Sequence, residues 1–275
     1  MPKRLLSDEH IELIMSAHPD DWDSVKKSLP EQTQKGNVNI LRVRKGLPPF
    51  VNAKQKYYYN ESFFLEKSLR SCYWAGFIAA DGWITYPKHG QKVVGIRLKD
   101  SDRKHIETFS TDINGGYICE GSQPAESYGG SRCRYVQILA NNDRLVEGLE
   151  GNFNITQRKS LTLEPPSNLN EDQKVAFAAG YIDGDGSYTW HKLSKGRAPA
   201  LTVYGSLSMV TWIAETLGFS HNKVTPNGNI HMSSCYGEDA KKSREKIFSV
   251  QEEIPLLERK YKRWEHQLGI DMEIW

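Results

Sequence analysis

The pattern of apolar and polar positions predicts one arrangement of helices and strands, repeated twice along the chain. Apolar residues recur with helical spacing over residues 61–81 and again over 171–185. Each stretch is followed by a strand pair, a second helix and a second strand pair. The expected ranges are 83–87, 93–99, 102–112, 117–120 and 132–139 in the first copy, and 187–192, 200–205, 207–217, 223–226 and 229–235 in the second. With a closing helix, each copy has the order αββαββα, so we expect an α+β protein.

Local signals mark the ends of several elements. Asn170 and Gln173 have the spacing of a capping box before the helix over 171–185. Gly218 follows another helical stretch and is expected to end it. Asn227-Gly228 predicts a two-residue turn between the last two strands.

The first 60 residues differ from the rest and predict short helices. Ser7 precedes an amphipathic turn that it is expected to cap. From residue 32 to 60 there are six basic residues and no acidic one, and the stretch ends in three tyrosines. This composition suits a DNA backbone, because cations neutralise phosphates and tyrosines stack or donate hydrogen bonds. Arg42 and Arg44, on the last of these helices, are the expected contacts.

The stretch DWDSVKKSLPEQTQKGNVNILRVRKGL, residues 21–47, resembles a Myb/SANT-like helix-turn-helix. The resemblance implies a tryptophan-anchored helix, a turn and a basic recognition helix. The alternative is an ordinary helical extension with a solvated basic face. Pro48-Pro49 is typical of a linker.

Composition narrows the class of protein. Hydrophobic residues make up 38% of the chain, which is enough for a packed core, and the net charge of +2 neither requires nor excludes nucleic acid. The four cysteines form no C-x-x-C pair, which disfavours a zinc site and indicates thiols in a reducing compartment. We see no signal peptide and no membrane-spanning run. We therefore expect an intracellular protein, cytoplasmic, organellar or phage-encoded, that is not secreted.

The two copies share a short motif. WAGFIAADGWI, from Trp74 to Ile84, matches AAGYIDGDGSY, from Ala178 to Tyr188, and the aspartates Asp81 and Asp185 lie 104 residues apart. This spacing predicts two modules of about a hundred residues. We therefore divide the chain into an extension over 1–60 and two halves over 61–165 and 166–275.

Small residues four positions apart, such as Gly76 with Ala80 and Gly180 with Gly184, predict that the two motif helices pack closely on each other. Each helix ends in an aspartate, where the helix dipole disfavours a carboxylate by roughly 0.3–1 kcal/mol. Bringing the two carboxylates together adds repulsion. A divalent cation relieves both effects, and oxygen ligands favour Mg²⁺.

The paired motifs resemble the LAGLIDADG signature of homing endonucleases, over roughly residues 61–275. The resemblance implies a pseudo-two-fold monomer that lays strands in the major groove of double-stranded DNA. Asp81 and Asp185 are then the catalytic metal ligands, joined by the backbone carbonyls of Ala80 and Gly184. The implied reaction is cleavage of both strands at a long target, with short 3′ overhangs. One position departs from the repeat, Ala79 against Asp183, and it is not a metal ligand of the family.

Two lysines recur after the motifs. Lys159 lies 78 residues after Asp81, and Lys260 lies 75 residues after Asp185. The stretch PLLERKYK, from Pro255 to Lys262, resembles the family segment with a basic active-site residue. We therefore expect Lys159 and Lys260 near the scissile phosphates, the alternative being surface lysines.

Alternate side chains on strands in the major groove can reach bases and phosphates. On this basis the expected DNA contacts are Arg97, Lys99, Arg132 and Arg134 in the first half, and Tyr188, Trp190, Lys192, Asn227, Asn229 and His231 in the second. Two unlike halves predict a nonpalindromic target.

A second interpretation keeps the fold and drops the cleavage. Some LAGLIDADG relatives assist intron RNA splicing or regulate transcription, so a non-cleaving maturase or regulator is the alternative, with RNA as its partner in the maturase case. Both aspartates being present favours cleavage.

Overall fold

The chain divides into two compact units, Met1–Tyr58 and Tyr59–Trp275. The structure is a computed structural model, which describes residues 6–18, 21–47, 57–124, 132–159, 162–192, 197–219, 223–260 and 262. The predicted Pro48-Pro49 linker lies outside the described residues. No helix in these ranges is long and apolar enough to cross a membrane.

The first unit contains three short helices. They are α1 (Asp8–Ser16), α2 (Trp22–Ser28) and α3 (Lys35–Arg44). Ile14, Val25, Leu29 and Val38 form its buried core. The predicted cap is confirmed, since the Ser7 side chain accepts a hydrogen bond from the His10 backbone N–H and the His10 side chain accepts one from the Ser7 backbone N–H.

Arg42 belongs to the interior of this unit. Its side chain is 1% exposed, and its guanidinium donates to the carbonyl oxygens of Ile14 and, at 2.9 Å, of Ala17. These carbonyls lie at the C-terminal end of α1, where helical carbonyls lack intrahelical partners. The expectation that Arg42 contacts DNA is therefore corrected, because its guanidinium is buried and hydrogen-bonded to carbonyls inside the unit. Arg44, two residues later, is exposed.

The second unit confirms the predicted order αββαββα, twice. The first half contains α4 (Leu69–Asp81), β1 (Gly82–Thr85), β2 (Val93–Lys99), a 3-10 turn (Asp100–Asp102), α5 (Arg103–Asp112), β3 (Tyr117–Pro124), β4 (Arg132–Asn141) and α6 (Asp143–Phe153). The second half contains α7 (Glu171–Asp185), β5 (Ser187–Lys192), β6 (Arg197–Gly205), α8 (Leu207–Leu217), β7 (Thr225–Asn227), β8 (Ile230–Tyr236) and α9 (Glu238–Phe248).

Each half forms one antiparallel sheet of four strands, in the orders β1-β2-β4-β3 and β5-β6-β8-β7. We call the face with buried apolar residues, such as Ile96 and Leu201, the inner face and the other the outer face. Both predicted terminal signals at Asn170–Gln173 and Gly218 are confirmed.

Several predicted boundaries differ from the structure, by up to eight residues for the first motif helix, and two of the differences have a local cause. The first motif helix begins at Leu69 and not at residue 61, because Lys67 has a positive φ of 48° and Ser68 is an extended N-cap. In the last hairpin Asn227 pairs with Ile230, so the turn residues are Gly228 and Asn229. Gly228 has a φ of 62°, which suits the first central position of a primed turn.

The motif helices α4 and α7 pack against each other through small residues, as predicted. A Cβ on Gly76 would lie 2.0 Å from the carbonyl oxygen of Phe177, and one on Gly180 would lie 1.9 Å from that of Tyr73. The helices therefore meet backbone to backbone, which brings their C-terminal ends together.

Candidate active site

Asp81 and Asp185 are the last residues of α4 and α7, and the two helix ends adjoin. A Cβ on Gly184 would lie 2.4 Å from the Cβ of Ala80 and 3.3 Å from the backbone nitrogen of Asp81. Both aspartates keep an exposed side toward solvent. The structure therefore brings the two predicted carboxylates to one place at the surface.

The surroundings make both carboxyls harder to ionise. Loss of water to neighbouring protein atoms raises the pKa of Asp185, and the negative charge of Asp81 raises it further. The pKa of Asp81 is raised mainly by the same loss of water, while Lys260 and Lys159 act against the rise. A bound cation would lower both pKa values, since positive charge favours the ionised form.

Lys159 and Lys260 lie behind these carboxylates and are buried. The Lys159 ammonium donates to the carbonyl oxygen of Ala80 at 3.4 Å. Burial lowers the pKa of Lys159 to about 8, against the raising effect of Asp185 and Asp81. Burial likewise lowers the pKa of Lys260. The two lysines predicted near the aspartates are thus placed beside them.

Lys260 has a fuller set of partners than Lys159. Its ammonium donates to the carbonyl oxygens of Ile182 at 2.8 Å, Gly184 at 3.0 Å and Gly186 at 2.8 Å. An ammonium has three N–H donors, so these contacts use all of them. Lys260 therefore covers the negative end of the α7 dipole directly behind Asp185.

The donor set at the helix ends fits a hard divalent cation. Two carboxylates and the carbonyls of Ala80 and Gly184 supply oxygen ligands, the type that Mg²⁺ prefers. Each carbonyl accepts from a lysine and still has a second lone pair. Within the described ranges no group of three or more His, Cys, Asp or Glu could hold a metal ion. A cation here would therefore rely on these oxygens together with water or a phosphate.

A cavity of about 400 Å³ opens beside Lys159 and Asp185. Ala80, Tyr181 and Tyr204 also line it. It connects one carboxylate and one buried ammonium with the C-terminal end of β6 in the second sheet.

Asp183, the acidic position without a counterpart in the first motif, is buried and bonded to other parts of the protein interior. Its Oδ2 accepts from the Tyr73 hydroxyl at 2.7 Å and from the Leu257 backbone N–H at 2.8 Å. Since Tyr73 donates to Asp183, the 3.2 Å contact between His105 Nε2 and the Tyr73 oxygen has the histidine as donor. Burial raises the pKa of Asp183 to about 6. No sequence signal links Tyr73 to Asp183, and the contact was missed.

On the first sheet, Arg97 and Lys99 are exposed on the outer face of β2, as expected. The Arg97 guanidinium lies 4.4 Å from the Tyr135 ring centroid and 5.8 Å from that of Trp83. It also donates to Gln137 Oε1 at 2.8 and 2.9 Å. These contacts hold a basic group in place on an open surface.

Arg132 and Arg134 lie on the other side. Even-numbered residues of β4, such as Val136 and Ile138, are buried on the inner face. Arg132 and Arg134 are even-numbered too, so they lie on the same side at the exposed end of the strand. Arg134 lies 3.5 Å from Glu120 and 3.7 Å from Asp100. The strand register therefore separates them from Arg97, which pairs with the outer-face residue Gln137.

In β5 of the second sheet, the residues expected to contact DNA lie on the inner face and not on the outer one. Tyr188 is 6% exposed and belongs to the core, so it cannot reach DNA. Trp190 and Lys192 follow it at two-residue spacing and therefore share its inner side of the strand. The outer face instead presents residues that the sequence analysis missed, and His191 and Tyr236 lie there with ring centroids 4.6 Å apart.

The three remaining predicted contacts are split by the last hairpin. Asn227 pairs with Ile230, and its side chain has outer-face parity. Asn229 lies in the turn and is exposed. His231 lies two residues before the buried Ser233 and therefore shares its inner side of the strand.

No protein-family model and no curated protein matches the chain. Among solved structures it is similar to the LAGLIDADG meganuclease I-CpaMI bound to uncleaved DNA, with 10% identity, a TM-score of 0.50 and coverage of 74% of this chain and 92% of that one. It also matches the homing endonuclease I-WcaI bound to its DNA recognition sequence, with 14% identity, a TM-score of 0.49 and coverage of 80% and 96%. The likeness to I-CpaMI establishes the fold, which is the two-half LAGLIDADG fold expected from the sequence.

Proposed function

We propose that this chain, whose fold is that of the LAGLIDADG homing endonucleases, is a site-specific DNA endonuclease that uses a divalent cation, Mg²⁺. It cuts both strands of a long, nonpalindromic target and leaves short 3′ overhangs. The proposal rests on one observation: Asp81 and Asp185 adjoin at the ends of α4 and α7, with Lys159 and Lys260 behind them. One chain supplies both carboxylates, so we expect a monomer to be active.

The proposed roles follow from the geometry. Asp81 and Asp185 would hold the cation, with the carbonyls of Ala80 and Gly184 as further oxygen ligands. When bound, Mg²⁺ supplies a more acidic water and stabilises charge on the leaving oxygen. Asp81 and Asp185 would also orient the attacking water by accepting hydrogen bonds from it.

The two lysines would stabilise the negative charge that develops on each scissile phosphate. Lys159 makes one contact to a carbonyl among the described residues, which leaves N–H donors for a phosphate oxygen. Lys260 has three carbonyl partners and contributes its positive charge from a fixed position. Their burial strengthens both effects, since water screens a buried charge less.

The outer faces of the two sheets are the proposed DNA surface of the second unit. In the first half this surface includes Arg97 and Lys99. In the second half it includes His191, Tyr236 and Asn227 in place of the inner-face residues. Exposed basic, aromatic and amide side chains on one face can reach phosphates and base edges. The lack of a palindrome in the target follows from the different residues on the two faces.

A second DNA-contacting surface is proposed on α3 of the first unit. Its exposed face presents Asn37, Ile40, Val43 and Arg44, and no acidic residue lies in this helix. Ile40 and Val43 are 53% and 58% exposed, which is unusual for branched aliphatic residues in a small unit. Thymine methyl groups offer such residues apolar contacts, while Asn37 and Arg44 can bond bases or phosphates.

The test is cleavage of a randomised DNA library by the full chain, with Mg²⁺ and with a chelator. The unaltered protein should give double-strand cuts at one sequence with short 3′ overhangs. Asp81→Asn and Asp185→Asn should abolish them. Asp172→Asn is the matched control, since this exposed carboxylate lies at the opposite end of α7 and should not matter. Binding of DNA or RNA without any cleavage would replace the proposal with the non-cleaving maturase or regulator.

A further inference from the structure

The chain segment that contains Lys260 is attached to both halves of the second unit. The Leu257 backbone N–H donates to Asp183 of α7 at 2.8 Å, and the Lys260 backbone N–H donates to the Leu257 carbonyl at 2.8 Å. Between them, Arg259 reaches across to Asp102 of the first half. Its Nε lies 3.1 and 3.2 Å from the two carboxylate oxygens, and its Nη2 lies 3.0 Å from Oδ2.

The Arg259–Asp102 pair differs from the surface ion pairs of this protein. The Asp102 side chain is 4% exposed and the Arg259 side chain is 53% exposed, whereas both side chains of the neighbouring Lys104–Glu258 pair, 3.8 Å apart, are exposed. Exposed pairs of that kind contribute little to fixing a segment. A fork of two guanidinium nitrogens on a buried carboxylate fixes both position and orientation. Arg259 is also the residue next to Lys260, so the pair restrains the backbone from which the lysine side chain extends.

The first half has no equivalent clamp among its described residues. With the 104-residue offset between the motifs, Asp102 corresponds to Ser206, and both residues precede a helix as its N-cap. Ser206 is neutral and donates to the Leu163 carbonyl at 2.6 Å. Arg158, which precedes Lys159 as Arg259 precedes Lys260, is exposed.

The same asymmetry recurs inside the motifs. Asp183, which accepts the Leu257 N–H, corresponds to Ala79, which has no side-chain acceptor. The contacts of the two ammonium groups differ in the same direction, three short ones for Lys260 and one of 3.4 Å for Lys159. The segment of Lys260 is therefore held by a charged pair and a carboxylate acceptor, whereas that of Lys159 is held by the neutral Ser206 contact. Among the described residues the Lys159 ammonium also has fewer and longer contacts than the Lys260 ammonium.

We propose that Arg259 and Asp102 are positioning residues for Lys260, a clamp that ties its segment in the second half to the first half and so fixes the position of the lysine's positive charge. This inference rests on the proposed endonuclease function. Its consequence is that the two strands are cut by unequally organised half-sites. Loss of the clamp should slow the cut that depends on Lys260 and spare the cut that depends on Lys159.

The experiment uses the full chain and a supercoiled plasmid with one copy of its target, with the two strands labelled separately. Lys159→Met and Lys260→Met first identify which strand depends on each lysine. Arg259→Gln and Asp102→Asn should then slow the Lys260-dependent strand by ~10-fold or more, since a misplacement of about 1 Å can cost 10²-fold. The other strand should keep its rate within about 2-fold, so nicked plasmid accumulates.

Three comparisons separate positioning from general support of the fold. The double variant should be no slower than either single variant, because both remove the same interaction. Arg259→Lys should recover part of the rate, since it restores the charge without the fork. Arg158→Gln is the matched control in the other half and should leave both strands unchanged.

Equal slowing of both strands in Arg259→Gln, or slowing of neither, would overturn the inference and leave the endonuclease standing. If the unaltered protein cuts neither strand of any target, the proposed function and this inference both fail. Thermal unfolding of each variant reports any loss of stability alongside the strand rates.

Discussion

Gly76 and Gly180 make reciprocal contacts across the two motif helices. Each faces a backbone carbonyl of the other helix, so a Cβ added to Gly76 would lie 2.0 Å from the Phe177 oxygen and one added to Gly180 would lie 1.9 Å from the Tyr73 oxygen. Contacts this short leave no room for a methyl group. The same approach brings Asp81 and Asp185 together, so packing and the candidate site depend on one pair of glycines.

Gly76→Ala or Gly180→Ala should destabilise the second unit. The obstacle is backbone, so the helices must move apart, and we expect a loss of about 3 kcal/mol in the free energy of unfolding, at the upper end for overpacked sites. Urea unfolding of the full chain measures it. Gly151→Ala is the control, because Gly151 lies in α6 with open space around it. That change should be neutral or stabilise by ~0.5–1 kcal/mol. Equal stability of Gly76→Ala and Gly151→Ala would contradict the backbone contact.

The fold could be predicted from the sequence because the same pattern of apolar and small residues occurs in both halves. The repeated small residues fix the helix pair, and the alternating stretches between them fix the strands, so the order αββαββα followed without any contact information. The boundary at Leu69 could not be predicted, because it depends on the positive φ of Lys67. Lysine gives no local signal for that conformation.

The candidate site was predictable only in part, for a physical reason. Alternation along a strand shows which side chains share a face, but not which face meets the helices. In β5 the larger set, Tyr188 and Trp190, lies on the inner side, where it covers more apolar area, and His191 is left outside. Arg42 was misplaced for a similar reason: a charged residue is expected outside unless buried carbonyls accept its protons.

Arg42 should stabilise the first unit although it is charged. Arg42→Met leaves the Ile14 and Ala17 carbonyls without their donor, and hydrogen bonds to charged groups contribute about 1.5–3 kcal/mol. Hydrogen exchange of the amides of Val25 and Val38, which lie in this core, should therefore become faster. Arg44→Ala, an exposed neighbour on the same helix, should change that exchange little. If Arg44→Ala speeds exchange as much as Arg42→Met, the buried role of Arg42 is wrong.

His105 should make the second unit less stable in mild acid. Burial lowers its pKa from 6.5 to about 3, so the folded state keeps it neutral where the unfolded chain takes up a proton. Its contribution is complete above pH 6.5 and is lost as the pH falls from 6.5 toward 3. Within that window one proton changes the free energy of unfolding by up to about 1.4 kcal/mol per pH unit.

His105→Gln tests this effect, since an amide can still donate to the Tyr73 oxygen. Urea unfolding at several pH values should show a smaller loss of stability for the variant between pH 6.5 and pH 4 than for the parent protein. Above pH 7 the two curves should run parallel. The absolute stability of the variant is expected to be lower, because His105 packs against Trp74 and Phe77. Identical slopes in acid would show that the histidine is not the titrating group.

Lys99 and Arg134 offer a direct test of which sheet face meets DNA. Both are exposed basic residues at neighbouring strands, but the register places Lys99 on the outer face with Tyr135 and Arg134 on the inner side. If the outer face binds DNA, Lys99→Ala should weaken binding and lower the salt slope of the association constant by about 0.9, the value for one phosphate contact. Arg134→Ala removes only exposed ion pairs with Glu120 and Asp100 and should leave that slope unchanged.

Affinities measured across a salt series on one target duplex decide between the faces. A reduced slope for Arg134→Ala with none for Lys99→Ala would place DNA on the opposite side, and the proposed interface would have to be abandoned.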